Sequence, residues 1–221
     1  MTTIAIVGAG PGLGAATARR FGSEGFQVAL VSRSREHVDA LAAQLTGAGV
    51  PARGYVADVR DPDGLRSALA AAAEAQGTVE VLQYSPLPQR DFLKPLAQTS
   101  PADLVAAYEF AVLGPVAAVG AVLPGMRSLG RGTVVFVNGG SAVRPNPAVA
   151  ATSVAFAGEA AYAQLLHHAL AADGIHVGQL IVPGSILAGH PRKDPVVLAE
   201  RVWAMHADRA GFRHLADDLD A

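Results

Sequence analysis

The sequence predicts an α/β domain built on one doubly wound parallel sheet with helices on both faces. Three observations carry that expectation. Six short apolar runs rich in β-branched residues alternate with longer segments of helical periodicity. Each run closes on a turn-forming residue. The runs are apolar throughout instead of alternating with polar residues, as strands covered by helices on both faces must be.

Taken in order, the strand-like runs are 3–7, 27–31, 52–57, 79–84, 133–137 and 176–182, followed by Gly8, Ser32, Asp58, Ser85, Asn138 and Pro183. Helical patterns occupy 13–23, 36–46, 63–75, 101–123 and 154–172. Right-handed crossovers through such helices place a ligand crevice at the carboxyl ends of the strands. Beyond Pro183 come a Gly/Pro-bearing loop over 184–195, a helix over 196–208, and a run at 211–215 that reads equally as strand or loop. The 221 residues suit a single domain spanning 1–221, with about 184–221 as a segment able to cover a substrate.

The net charge of −2, with both signs interspersed, gives no footprint for a nucleic-acid partner. The absence of cysteine removes disulfides, thiolate nucleophiles and zinc–thiolate sites, and makes a reducing cytoplasm the expected compartment. No export signal is expected in the opening MTTIAIVGAG, and no histidine pair has metal-ligand spacing, His167 and His168 being adjacent. The longest uncharged run, 110–126, is broken by Gly114, Pro115, Pro124 and Gly125, so a core helix is expected there instead of a membrane span.

The first strand runs into Gly8-Ala9-Gly10-Pro11-Gly12-Leu13-Gly14, immediately before the first helix. Gly8 allows a tight turn, Gly12 lets backbone N–H groups approach a pyrophosphate, and Gly14 lets the helix pack close to the sheet, in the manner of a Rossmann-type dinucleotide site. The second strand ends in Ser32-Arg33-Ser34-Arg35, where a free ribose 2′-hydroxyl would call for a carboxylate. Arg33 there is suited instead to a 2′-phosphate, which points to NADP(H) over NAD(H).

These residues resemble the short-chain dehydrogenase/reductase family over 3 to about 189. Val7-Gly8, Gly12-Leu13-Gly14, the Asp58-Val59 pair and Pro183-Gly184 are similar to its motifs. The resemblance implies a Rossmann-type fold and cofactor contacts from Gly8, Gly12, Leu13, Gly14, Ser32, Arg33, Asp58, Val59, Ser85, Pro183 and Gly184. It also implies a homodimer or homotetramer paired through the helices at 101–123 and 154–172. The family's catalytic Asn, Ser, Tyr and Lys fall on Ala111, Gly139, Thr152 and Phe156, and Ser85-Pro86-Leu87 stands where Asn-Ala-Gly is usual. No Tyr-x-x-x-Lys pair occurs anywhere in the chain.

Substitutes for the missing proton donor are Ser141, Asn138 and Thr152 in and after the loop beyond the fifth strand, Tyr84 at the end of the fourth, and His190 in the substrate loop. Two functions follow. One is an atypical NADP(H)-dependent oxidoreductase acting on a small carbonyl or activated alkene. The other is a catalytically silent NADP(H)-binding relative serving as a sensor or oligomer partner.

Overall fold

The computed structural model describes residues 2–219; the outermost residues of the expected 1–221 domain, Met1, Asp220 and Ala221, lie outside the described residues. Seven parallel strands form one sheet in the order β3-β2-β1-β4-β5-β6-β7. They are β1 (Thr3–Val7), β2 (Gln27–Ser32), β3 (Ala52–Val56), β4 (Val79–Tyr84), β5 (Gly132–Gly139), β6 (Ile175–Val182) and β7 (Arg213–Leu215). The order reverses between β1 and β4, which opens the crevice of a doubly wound sheet at their carboxyl ends.

Alternate residues of β1 show how the two faces divide. Ile4 and Ile6 enter one apolar core with α1 (Leu13–Gly22), α2 (Arg35–Gly47) and α7 (Pro195–Asp208). Ala5 and Val7 enter the other with α3 (Pro62–Gln76), α4 (Pro101–Tyr108), α5 (Gly114–Leu129) and α6 (Ala150–Leu170). A strand buried on both sides cannot alternate polar and apolar residues, which is why these runs read as continuous.

The open assignment at 211–215 resolves as a strand: Gln179, Leu180 and Ile181 of β6 pair with Arg213, His214 and Leu215. Two helical expectations need correction. The segment 101–123 does not stop at Pro124 but runs on to Leu129, because Pro124 and the Gly120 carbonyl it orphans both face solvent. It is also not continuous, since a π-helical turn, Glu109–Leu113, joins α4 to α5. The whole segment Pro101–Leu129 is apolar and long enough to cross a membrane, yet half of its most apolar window is buried within the fold, as in a core helix. Further along, α6 starts at Ala150, ahead of the expected 154.

Candidate functional site: an open glycine cradle and a sealed helix junction

Gly8 sits at φ +85°, and its N–H donates to the Val31 carbonyl at 3.0 Å. A Cβ there would lie 2.3 Å from Cα of Pro86 and 2.8 Å from the carbonyl carbon of Ser85. The turn is therefore pressed against the loop after β4, and only glycine fits. The next positions are the opposite. Nothing lies within 4 Å of where a side chain would begin on Gly10 or Gly12. Gly12 caps α1 without any side-chain hydrogen bond. The first inward-bonded amides of this helix start are Ala15, to the Gly10 carbonyl at 2.9 Å, and Ala16, to the Gly12 carbonyl at 3.1 Å. The N–H groups of Gly12, Leu13 and Gly14 thus stand at the positive end of a helix, with open space beside Gly10 and Gly12, which is what a pyrophosphate needs.

The rest of the expected cofactor contacts flank this opening. Ser32 is half-buried, with its carbonyl accepting from Ala57 N–H at 3.1 Å. Arg33 is exposed and makes no hydrogen bond or ion pair with the described residues, whereas Ser34 caps α2 and Arg35 faces Asp39 at 3.6 Å. Asp58 accepts the Arg60 N–H at 2.9 Å on one carboxylate oxygen, and Val59 is buried beside it. Ser85 continues the β4 ladder onto the Val7 carbonyl at 2.9 Å. Across the sheet, Pro183 closes β6 and Gly184 is exposed at φ +68°.

At the junction of β5 and α6 the polar groups are spent on each other. Asn138 is 4% exposed; its Nδ2 donates to Glu159 Oε2 at 3.0 Å, and its Oδ1 accepts from Gln179 Nε2 at 2.8 Å. Gln179 Oε1 in turn accepts from Arg213 Nε at 2.9 Å. Burial pushes the Glu159 carboxyl up to about 8, against the pull of the Asn138 N–H, and its Oε1 has no partner among the described residues. Thr152 is buried with its hydroxyl on the Val149 carbonyl at 3.0 Å, and the Ser153 hydroxyl closes onto Asn146 and Val149. Phe156 is buried and tilted against Phe110.

Tyr84 lies in the core, not in the crevice. Its hydroxyl donates at 2.7 Å to the Phe110 carbonyl in the π turn. Burial, and then the Glu159 and Asp58 carboxyl groups, raise this phenol well above its ordinary value. Of the candidate proton donors after β5, only Ser141 has a hydroxyl that makes no hydrogen bond among the described residues, half-buried in a 3₁₀ turn, Gly140–Ala142. Gly139 beside it faces open space. Among the described residues there is no group of three or more His, Asp or Glu able to hold a metal.

Residues 2–194 match the profile of the family described as short chain dehydrogenase. The chain belongs to the short-chain dehydrogenase family. A short-chain dehydrogenase from Rhodopseudomonas palustris superimposes with a TM-score of 0.86 at 25% identity, over 98% of each chain. A metagenomic short-chain oxidoreductase in complex with NADP does so with a TM-score of 0.82 at 25% identity, over 96% of this chain and 95% of that one. Among curated proteins, a 3-dehydrosphinganine reductase of Arabidopsis thaliana is 30% identical over 83% of this chain and 55% of its own length. The matched stretches span 52%, 29% and 28% of three other curated relatives. Short-chain dehydrogenases bind nicotinamide cofactors, and the open glycine cradle fits that ligand.

Sequence reading missed four polar residues of this short-chain dehydrogenase: Glu159, Gln179, Lys193 and Asp217. A signal existed only for Glu159, an isolated acid in the Ala-rich stretch AFAGEAAY, three residues after Phe156 and so on the same helical face.

Proposed function

We propose that this chain is an NADP(H)-binding oxidoreductase of the short-chain type, acting on a small carbonyl or activated alkene through an atypical proton-donating arrangement. The observation that carries it is the uncapped helix start above Gly10 and Gly12, with Arg33 at the end of β2 unpaired among the described residues. Gly12, Leu13 and Gly14 would hold the pyrophosphate, Arg33 and Ser32 the 2′-phosphate, Asp58 and Val59 the adenine end, and Ser85, Pro183 and Gly184 the nicotinamide end. The bound cofactor supplies a hydride, and the proton must come from this chain or from water. Ser141 is the side chain best placed to orient that donor, because its hydroxyl is free and Gly139 leaves room beside it.

A silent cofactor-binding relative is the second reading, favoured by the sealing of positions 152 and 156 in the core. Self-association has support in an apolar face on α4 and α6, where Val105, Tyr108 and Val154 are exposed around a cavity of about 360 Å³.

Fluorescence titration with NADPH and NADH, followed by a carbonyl and alkene turnover panel, separates these readings. Arg33→Ala is expected to weaken NADPH about tenfold, the loss of one charge-assisted contact, and to leave NADH unchanged. Equal affinity of the variant and parent for NADPH would remove Arg33 from the 2′-phosphate. Tight NADPH binding without turnover on any compound would select the silent reading, and failure to bind either cofactor would end both.

A further inference from the structure

The connection between β6 and α7, residues 183–194, is folded against the sheet. Leu187 N–H donates to the Lys193 carbonyl, His190 N–H to the Leu187 carbonyl and Asp194 N–H to the His190 carbonyl, each at 3.1 Å. His190 Nδ1 accepts the amides of Arg192 and Lys193 at 3.2 and 3.1 Å. This folding turns Lys193 inward until only 6% of it is exposed. Its ammonium lies beside Gly184: a Cβ on that glycine would meet Lys193 Nζ at 3.8 Å and no other non-neighbouring atom within 4 Å.

Asp217, in the segment that follows β7, faces the same spot and is 8% exposed. Its carboxylate takes Arg192 Nη1 at 2.9 Å, the Asp218 N–H at 2.9 Å, Lys193 Nζ at 3.8 Å and His190 Nε2 at 3.9 Å. Arg192 Nη1 also lies 3.8 Å from Asp218 Oδ2, so Asp217 and Asp218 answer Arg192 and Lys193 between them. Arg192 has the hydrogen bond; Lys193, at 3.8 Å, has only the Coulombic attraction. The Lys193 side chain is 8% exposed, and its ammonium has no acceptor within hydrogen-bond range among the described residues, which leaves it able to take a further oxygen. The place is the carboxyl end of β6, on the crevice side of the sheet, where Pro183 also lies 3.6 Å from the position of a Cβ on Gly140.

We propose that Lys193, turned in beside Gly184 by the folded connection, anchors an anionic oxygen of the substrate, which is therefore of the carboxylate-bearing class. This inference rests on the cofactor-dependent reading above and names the substrate class for that same crevice. The Lys193 ammonium, without a hydrogen-bonded acceptor among the described residues, supplies the charge match. The bare backbone of Gly184 leaves the approach to the ammonium clear.

The test uses the NADPH-loaded full chain and calorimetric titration with a panel of short keto acids and their methyl esters, which differ only in the charge. The acids are expected to bind at least tenfold more tightly than the esters. Lys193→Met should erase that difference while leaving ester and NADPH affinities in place, and Lys193→Arg should recover part of it. Asp217→Asn, which keeps the shape but frees Lys193, gives a second variant should Lys193→Met fail to fold; it should raise affinity for the acids. Acids and esters that bind alike, or no acid that binds at all, would overturn the proposal. Failure of the parent chain to bind NADPH would instead overturn the cofactor reading, and that is measured first.

Discussion

The two ends of the crevice are built on opposite principles. Over β1 and β2 the chain leaves donors unfilled and space empty: among the described residues nothing approaches the side-chain position of Gly10 or Gly12, the helix start is uncapped, and Arg33 has no partner. Over β4 and β5 it fills the space and uses most of the polar groups, Gln83 Oε1 and Glu159 Oε1 being left without a partner among the described residues. Tyr84, Asn138, Thr152 and Glu159 are all at most 4% exposed, and each has a hydrogen bond inside the protein. Since a binding site is made of unmet hydrogen-bonding capacity held in place by a rigid surround, the first end is equipped to hold a ligand. The second is equipped chiefly to hold itself together. Ser141 and the Lys193 corner are where unmet capacity returns on the far side of the sheet.

The contrast breaks most sharply at Gly8. Gly8→Ala puts a methyl 2.3 Å from Cα of Pro86 at a positive φ, so either the turn or the loop after β4 must move. Loss of NADPH binding by at least a hundredfold and destabilisation of about 3 kcal/mol are expected, read by fluorescence titration and urea unfolding. Retention of parent affinity would show that the turn does not shape the cradle.

A second test addresses the sealed end. The Glu159 carboxyl is raised from 4.5 to about 8 by burial, so the folded protein binds this proton more tightly than the unfolded chain. The stability it contributes is fully present below about 4.5 and is lost as pH rises toward 8, at a slope of up to about 1.4 kcal/mol per pH unit. His176 works the other way. Burial, reinforced by His167, lowers it from 6.5 to about 4, so its contribution is lost as pH falls through that window. The two slopes oppose each other from about 4.5 to 6.5, and Glu159 acts alone from 6.5 to 8. Urea unfolding across pH should therefore show a flat region followed by an alkaline decline. Glu159→Gln, which keeps an oxygen for Asn138 to donate to, should remove the decline. An unchanged profile in that variant would place the titrating group elsewhere.

The smallest effect is expected at Tyr84. Tyr84→Phe orphans the Phe110 carbonyl in the π turn at a cost of about 1 kcal/mol, with cofactor affinity and any turnover unchanged. A hundredfold loss of turnover with stability intact would return Tyr84 to the chemistry.

What could be read from the sequence follows the same division. The first six strands and the glycine turn are local patterns, written in consecutive residues, and the structure follows them to within a few residues. The polar run from Arg213 to Glu159 is not local. Its links join residues separated by 34, 41 and 21 positions, and nothing in the spacing of an Asn or a Gln says which distant partner it will meet. Tyr84 looked available because it ends a strand that faces the crevice, yet the π turn presents a carbonyl that captures it. Lys193 was invisible for a related reason: a lysine between Arg192 and Asp194 reads as solvated, and only the folded loop turns it inward.

The run of donors from Arg213 through Gln179 and Asn138 to Glu159 also has a mechanical meaning. β7 is three residues long and lies at the rim of the sheet, where so short a strand would peel away on its backbone bonds alone. Arg213 drives an anchor from that rim inward under two strands to a helix on one face, and every link in the tether donates in the same direction. Load applied to the C-terminal segment is thereby carried into α6, so the rim and the helix should loosen together instead of one after the other.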